Sequence, residues 1–595
     1  MEFHYTSEKN HQILIALLKA SGIRYVVASP GATNVSFVAS VQSDPFFKVY
    51  SSVDERSAAY IACGLAGESG EPVVLSCTGA TAARNYYPGL TEAFYRKLPL
   101  IAVTSSQVSY NEGRLIPQVT DRSHPTTDIQ VYHTTLKAVK DETDFKECML
   151  KVNAGLIALK RNSGGPIHFN LETTYSTDYS IRNLPAVKKI EYLGYESSFP
   201  SLDKYTKIAF SVGSHRAFTE EETILMDKFC EKYGAVVICD HTSGYYGKYR
   251  IQGSIIGAQG SFDKRSYMPD LGIHIGEVSG DYESDLLFHG RDIWRVSEDG
   301  EAKDKYEGMT KLFGISLKAF LIKYLSGPKQ ATPVSRSSEY FNTIRNLELS
   351  LRQDMGEVPF SNIWLARELT PKIPANSVVH LGILNSLRCW NLFRLPQTVT
   401  STSIVGGFGI DGSLSTILGA SLVHPDRLYY LVIGDLAFFY DLNALGNRHV
   451  GNNLRILLVN NGVGTEFKNY NHRVAEFGDD GDAFMAARGH YGRQSRALIK
   501  HFSEDLGFRY LSASNKQEFL NCYSEFISPE ISGPMLFEVF TDSKDESQAL
   551  RVVRNIRTSA NMSATRGIQS FLKHHLPEDT YNKIKAFAKQ LFFRR

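Results

Sequence analysis

The sequence has few cysteines and no excess of charge of either sign. Its seven cysteines, at 63, 77, 148, 230, 239, 389 and 522, are scattered and odd in number, and no CxxC pair occurs. A structural zinc site and a disulfide framework are therefore not expected. Lys and Arg total 65 against 63 Asp and Glu. That balance gives no reason to expect a nucleic-acid partner. Apolar runs such as Leu428 to Ile433 are strand-length, far short of the ~20 residues that a spanning helix needs. Met1 to Asn10 is polar, not a basic segment leading into an apolar one, so the expected compartment is the cytoplasm.

What is present is an ordinary globular mix, 43% hydrophobic and 22% charged, in a chain of 595 residues. That is too long for one core. Short apolar runs alternate with helical periodicity. Arg24 to Ala28, Val73 to Ser76, Leu100 to Thr104 and His168 to Leu171 read as strands of a first block. Ile208 to Val212, Ala235 to Cys239 and Leu271 to Ile275 belong to a second. Val378 to Leu381, Tyr429 to Ile433, Arg455 to Val459 and Met535 to Val539 belong to a third. Strands separated by helices imply parallel sheets covered on both faces. The expected fold is α/β, with three doubly wound parallel-sheet domains at 1–180, 190–328 and 340–548. Gly327 to Ser338, polar and broken by two prolines, reads as a linker. Residues 549–595 read as a basic helical tail: Tyr581, Ile584, Phe587, Leu591 and Phe592 recur at helical spacing among Lys583, Lys585, Lys589, Arg594 and Arg595. Such a helix suits an anionic membrane surface or a neighbouring subunit.

The strongest chemical signal is in the third block. Gly434-Asp435 directly follows one apolar strand, and Asn460-Asn461-Gly462 directly follows the next. Side-chain oxygens at the ends of neighbouring parallel strands can meet around a hard divalent cation. Amides of the helix after Asp435 would face a diphosphate held by that ion. A second signal is Val53-Asp54-Glu55-Arg56 ahead of the small-residue stretch Ser57 to Ala66. A carboxylate at this crowded helix start could exchange protons, or simply favour the helix N-terminus.

Together these motifs resemble the thiamine-diphosphate enzymes of the acetohydroxyacid synthase and pyruvate decarboxylase superfamily. Within it, the text is most similar to the 2-succinyl-5-enolpyruvyl-6-hydroxy-3-cyclohexene-1-carboxylate synthases. The matching residues are Asp54-Glu55-Arg56, Cys77-Thr78, Asn85-Tyr86-Tyr87-Pro88, Asn385-Ser386-Leu387, Gly409-Ile410-Asp411-Gly412, Leu414-Ser415-Thr416, Gly434-Asp435-Leu436 and Tyr440 to Leu445.

The resemblance implies pyrimidine-binding, middle and diphosphate-binding domains, with thiamine diphosphate and Mg2+ as cofactors. It implies a homodimer or homotetramer with the cofactor between subunits. Glu55 would contact the aminopyrimidine, and Gln118 would reach the reacting centre unless it is a plain surface glutamine. Asp435, Asn461 and the Val463 carbonyl would hold the metal. Asn85, Asn385, Ser386, Gly409, Gly434 and the Leu436 and Ala437 amides would meet the cofactor. Ile410 would hold it bent, or be a core isoleucine.

The chain departs from the synthases at three arginine positions. Ala32-Thr33-Asn34 stands where they carry Ser-Arg-Ser, and Trp390 and Val405 replace two more. Planar carboxylate recognition favours arginine. A less charged donor than 2-oxoglutarate is therefore expected, such as pyruvate, met by Asn34, Trp390 and Val405. Arg84, Arg388 or Arg394 could compensate. The expected activity is a carboligase that decarboxylates a 2-oxoacid and passes the acyl anion equivalent to an acceptor. The alternatives are a simple 2-oxoacid decarboxylase or a non-catalytic regulatory protein of this fold. Asn469 to Arg496, rich in Gly, Asp, Arg and aromatics, reads as a lid or as a solvated loop.

Overall fold

The computed structural model describes residues 4–122, 124–260, 262–327, 334–489 and 495–557. The expected amphipathic helix from Thr580 onward lies outside these residues. No helix among the described residues is long and apolar enough to cross a membrane.

The described residues form three parallel sheets, of six, seven and six strands. The first contains β1 (Tyr25–Ala28), β2 (Lys48–Ser51), β3 (Val73–Thr78), β4 (Leu100–Gln107), β5 (Tyr132–Leu136) and β6 (Ile167–Thr173), in the order β2-β1-β3-β4-β6-β5. Its central strands are buried on both faces. Ile13, Leu14 and Leu17 of the helix Lys9–Ala20 cover one face, and Ala58, Ala62 and Leu90 cover the other. Burial on both sides is why these strands read as unbroken apolar runs.

The middle segment supplies β7 (Glu191–Leu193), β8 (Ile208–Val212), β9 (Val236–Cys239), β10 (Arg250–Gln252), β11 (Leu271–Ile275), β12 (Asp292–Val296) and β13 (Met309–Phe313). The third sheet contains β14 (Val378–Leu381), β15 (Thr400–Thr402), β16 (Tyr429–Gly434), β17 (Leu454–Asn460), β18 (Arg509–Ala513) and β19 (Met535–Phe540), ordered β15-β14-β16-β17-β19-β18.

The described residues fall into two compact units. One lies within Met1–Pro200 and Asp292–Phe320, the other within Ser201–Arg291 and Leu321–Arg595. The first holds the first sheet and the strand run β12-β13-β7. The second holds the run β10-β9-β8-β11 and the third sheet. The expected linker is corrected in part: the helix Val334–Gln353 starts inside it. That helix is polar and follows two prolines, a pattern that resembles a linker in sequence. Its Glu348 is fully buried and accepts from Arg345, Arg352 and Arg394 at 2.7–2.9 Å.

Candidate active site

In each six-stranded sheet the strand order reverses near the middle, between β1 and β3 in the first sheet and between β14 and β16 in the third, and again at the far edge, at β6-β5 and β19-β18. A crevice opens at the carboxyl ends of the strands at such a reversal.

In the N-terminal unit the crevice is bounded by Ser29-Pro30-Gly31 after β1 and Thr78-Gly79-Ala80 after β3. The two turns approach so closely that a methyl group at Gly31 would lie 1.9 Å from Thr78 Cγ2. Thr33 Oγ1 donates to the Ser105 carbonyl at 2.7 Å, and Asn34 Nδ2 donates to the Ser29 carbonyl at 2.9 Å. Asn34, expected at the substrate, is therefore a buried cap that braces the turn. β2 leads into Asp54, the N-cap of the helix Glu55–Ser69, whose carboxylate accepts from the Arg56 and Ser57 amides. Glu55 is the first helical residue and is half-buried. Its carboxylate adds to the burial that pushes the Cys77 thiol up to about 12. The small-residue stretch serves close helix packing, since a methyl at Gly89 would lie 2.4 Å from Ala59 Cβ. Arg84 and Asn85 are exposed at the end of the helix Ala80–Asn85. Gln118 is exposed on the β4–β5 loop with φ 66°.

In the C-terminal unit the two strand-end motifs meet. Asp435 Oδ2 accepts from the Gly462 amide at 2.6 Å, and its Oδ1 accepts from the Leu436 amide at 2.9 Å. Asn461 Oδ1 accepts from the Val463 amide at 3.3 Å. Behind them, Glu538 on β19 accepts from Asn460 Nδ2 at 2.6 Å and from the Tyr510 hydroxyl at 2.8 Å. Burial raises the Glu538 pKa, and the Asp435 carboxylate adds to the rise. Ala437 is buried in the helix Asp435–Tyr440. Ile410 is half-buried against the core of this sheet, two residues beyond Phe408, whose φ is 55°.

At the β14 end, Leu384 has φ 69° and ψ −123°, a sparsely populated conformation that costs of order 1–3 kcal/mol. It turns the chain into the helix Asn385–Trp390. The Asn385 amide, oriented by its hydrogen bonds, donates to Glu466 Oε2 at 2.6 Å and accepts from the Glu466 amide at 2.9 Å. Ser386 is buried beside it. Arg388 is ion-paired with Glu466 and stacks over Tyr282 at 4.7 Å.

Tyr282, Asn385, Arg388 and Glu466 border a cavity of about 610 Å³, walled by Leu384, Phe408 and Phe467 among others. Asn469, Asn471 and His472, from the stretch expected as a lid, line it too. So does Glu546, buried and accepting from the Asn362 amide at 3.0 Å and Thr541 Oγ1 at 2.8 Å. Burial pushes the Glu546 carboxyl up to about 7. Nothing in the sequence marked it, since an acidic residue in a first helical turn is commonplace.

Trp390 and Val405 do not line this cavity. Trp390 is 1% exposed, with its indole N–H on Asn362 Oδ1 at 3.2 Å. Val405 is packed inside, near Gly280. The two positions expected at the substrate are therefore core positions of this unit. Two of the expected compensating arginines are also engaged, Arg388 by Glu466 and Arg394 by Glu348.

The family described as thiamine pyrophosphate enzyme, N-terminal TPP binding domain, matches residues 9–129. The 2-succinyl-5-enolpyruvyl-6-hydroxy-3-cyclohexene-1-carboxylate synthase of Bacteroides fragilis is 30% identical over 582 residues, covering 92% of this chain and 98% of that protein. The chain belongs to the thiamine diphosphate enzymes. The synthase of the same name from Bacteroides thetaiotaomicron is 29% identical to this thiamine diphosphate enzyme over 573 residues, with 92% and 98% covered. Among solved structures, the thiamine diphosphate-dependent 4-hydroxybenzoylformate decarboxylase of Rhodococcus jostii is similar over 90% of this chain and 99% of that one, at 16% identity and a TM-score of 0.36. The superfamily and the synthase relatives are those that the motifs indicated.

Proposed function

We propose that this thiamine diphosphate enzyme is a Mg2+-dependent carboligase that decarboxylates a short 2-oxoacid and joins the remaining acyl unit to an acceptor. The observation that carries the reading is the Asp435 carboxylate bridged to the Asn461-Gly462 turn at the adjacent strand end. Asp435, the Asn461 side chain and the Val463 carbonyl are all oxygen donors, the set a hard cation takes. Among the described residues no group of three His, Cys, Asp or Glu side chains could hold a metal alone. That suits an ion whose coordination is completed by a diphosphate. The residues therefore fit the cofactor.

Bound thiamine diphosphate supplies an acidic carbon that becomes a nucleophile and accepts the electron pair released by decarboxylation. Glu55 would hydrogen-bond the aminopyrimidine through its carboxylate and assist proton transfer there. Asn385, Ser386 and the Leu436 and Ala437 amides would hold the diphosphate, and Gly409 and Ile410 would contact the rest of the cofactor. The apolar cavity wall of Leu384, Phe408 and Phe467 would keep water from the reacting centre. A short monocarboxylate donor is favoured because Arg388 and Arg394 already have carboxylate partners. The relatives' printed activity, that of a synthase, favours joining over simple decarboxylation. Exposed apolar residues flank Glu55, with Val53 at 78% and Tyr60 and Ile61 at 49% and 45%. They support a homodimer or homotetramer. The proposed setting is the cytoplasm.

The test is a panel of 2-oxoacids given to the purified protein with thiamine diphosphate and Mg2+, read by product mass. Joined hydroxyketone products support the proposal. Aldehyde alone makes the protein a decarboxylase, and no turnover of any 2-oxoacid supports a regulatory role.

A further inference from the structure

A half-buried guanidinium in the N-terminal unit has only neutral hydrogen-bond partners. Arg122, on the β4–β5 loop, donates to Asn170 Oδ1 and Thr104 Oγ1 and lies 3.3 Å from His168 Nε2. Burial, then the Arg122 and His133 charges, holds His168 well below the usual imidazole range. His133 is lowered to about 4 by burial and by Arg122. Both rings are therefore neutral at physiological pH. Arg84 lines the same cavity of about 70 Å³, and Asp121 is the one carboxylate in its wall. Burial, with a smaller push from Arg84, brings the Arg122 pKa down to about 10, so the group stays cationic at neutral pH.

A desolvated charge is costly unless it is paired. Arg122 is partly withdrawn from water and Arg84 is exposed, and two guanidiniums facing one small cavity with a single carboxylate in its wall make it a place that attracts an anion. The cavity also borders the crevice. Arg122 Nη1 lies 3.3 Å from where a methyl at Gly79 would sit, at the carboxyl end of β3. Arg122 and Glu55 act on the same Cys77 thiol with opposite sign.

We propose that this cavity is a carboxylate-recognition pocket in which Arg122, assisted by Arg84, holds the acid group of the acceptor. The inference rests on the carboligase reading. A planar guanidinium fork matches a carboxylate, and the volume suits such a head group. The donor's carboxylate is lost in the reaction, and a clamp on it would stabilise the ground state and slow decarboxylation. The acid held here is one that survives turnover.

The experiment titrates acetate, benzoate and succinate into the protein by calorimetry, with inorganic phosphate and acetamide as controls. Titrations are run with and without thiamine diphosphate and Mg2+. At least one carboxylate should bind, acetamide should not, and Arg122→Gln should weaken carboxylate binding about 10-fold or more, the scale of a hydrogen bond to a charged group. Cofactor affinity, measured in parallel, should be unchanged in Arg122→Gln. Failure of the parent to bind thiamine diphosphate would strike the proposed function, whereas the anion titrations report on the pocket separately. Exposed Arg84 offers a second variant, Arg84→Gln, should Arg122→Gln not fold, and it too should weaken binding. The pocket assignment is overturned if no carboxylate binds, if phosphate binds and carboxylates do not, or if the variants bind carboxylates as the parent does.

Discussion

Glu546 should make the stability of the C-terminal unit fall as pH rises through neutrality. Its carboxyl is buried at 6% exposure. Burial first, then the Asp545 and Asp542 carboxylates, raises it from 4.5 to about 7, against the pull of hydrogen bonds from Thr541 and the Asn362 amide. The folded chain therefore binds the proton more tightly than the unfolded chain. Stability is fully present below about 4.5 and is lost progressively as pH passes about 7. At roughly 1.36 kcal/mol per pH unit, the rise corresponds to about 3 kcal/mol.

Glu546→Gln has no proton to lose. Its Oε1 can still accept from the Asn362 amide, so at pH 5 the variant should match the parent or be slightly weaker. At pH 8 it should be more stable than the parent by up to about 3 kcal/mol. Urea unfolding at the two pH values measures this. Trp364 and Trp390 are natural reporters, being buried at 5% and 1% exposure, and the Trp390 indole bonds to Asn362 itself. Parallel pH profiles for parent and variant would refute the reasoning and show that the Glu546 carboxyl titrates normally.

Glu55→Gln should keep the fold and most of the cofactor affinity but slow exchange of the cofactor's C2 proton by about 10²-fold or more, the usual scale of acid–base assistance. Exchange in deuterated buffer at the parental rate would leave Glu55 as a helix-end carboxylate only. Gly89→Ala should destabilise the N-terminal unit by about 1–3 kcal/mol through overpacking, because the added methyl meets Ala59 Cβ at 2.4 Å and its backbone carbonyl carbon at 3.0 Å. A melting temperature within a degree of the parent would contradict that packing. Light scattering should give a dimer or tetramer for the protein saturated with cofactor, and a cofactor-competent monomer would exclude the subunit-shared site.

The sequence revealed the buried strands best. Ile208–Val212, Leu271–Ile275 and Val378–Leu381 were legible end to end because both faces are covered and every position except His274 and His380 is apolar or small. Strands at or next to a sheet edge were not. Lys48–Ser51 is largely exposed, Arg509–Ala513 alternates exposed and buried positions, and Tyr132–Leu136 carries His and Thr, so no apolar run announces them. The pairing of Asp435 with the Asn461-Gly462 turn was readable because each motif directly follows such a buried strand. Arg122 was not, since its significance lies in being half-buried among neutral partners, which no local pattern records. Trp390 and Val405 mislead in the opposite way. Their identities suggested a pocket, but they face the packed interior of their unit. Arg388 could be noticed in sequence, but its commitment to Glu466 depends on a contact 78 residues away along the chain.

The central claim is that Asp435 and the Asn461 turn hold a diphosphate through a divalent cation. Calorimetric titration of thiamine diphosphate into the parent protein and Asp435→Ala, each with Mg2+ and with excess chelator, tests it most directly. Binding should appear only for the parent with Mg2+, and should be lost both with chelator and in Asp435→Ala. Equal affinity in all four titrations would contradict the account.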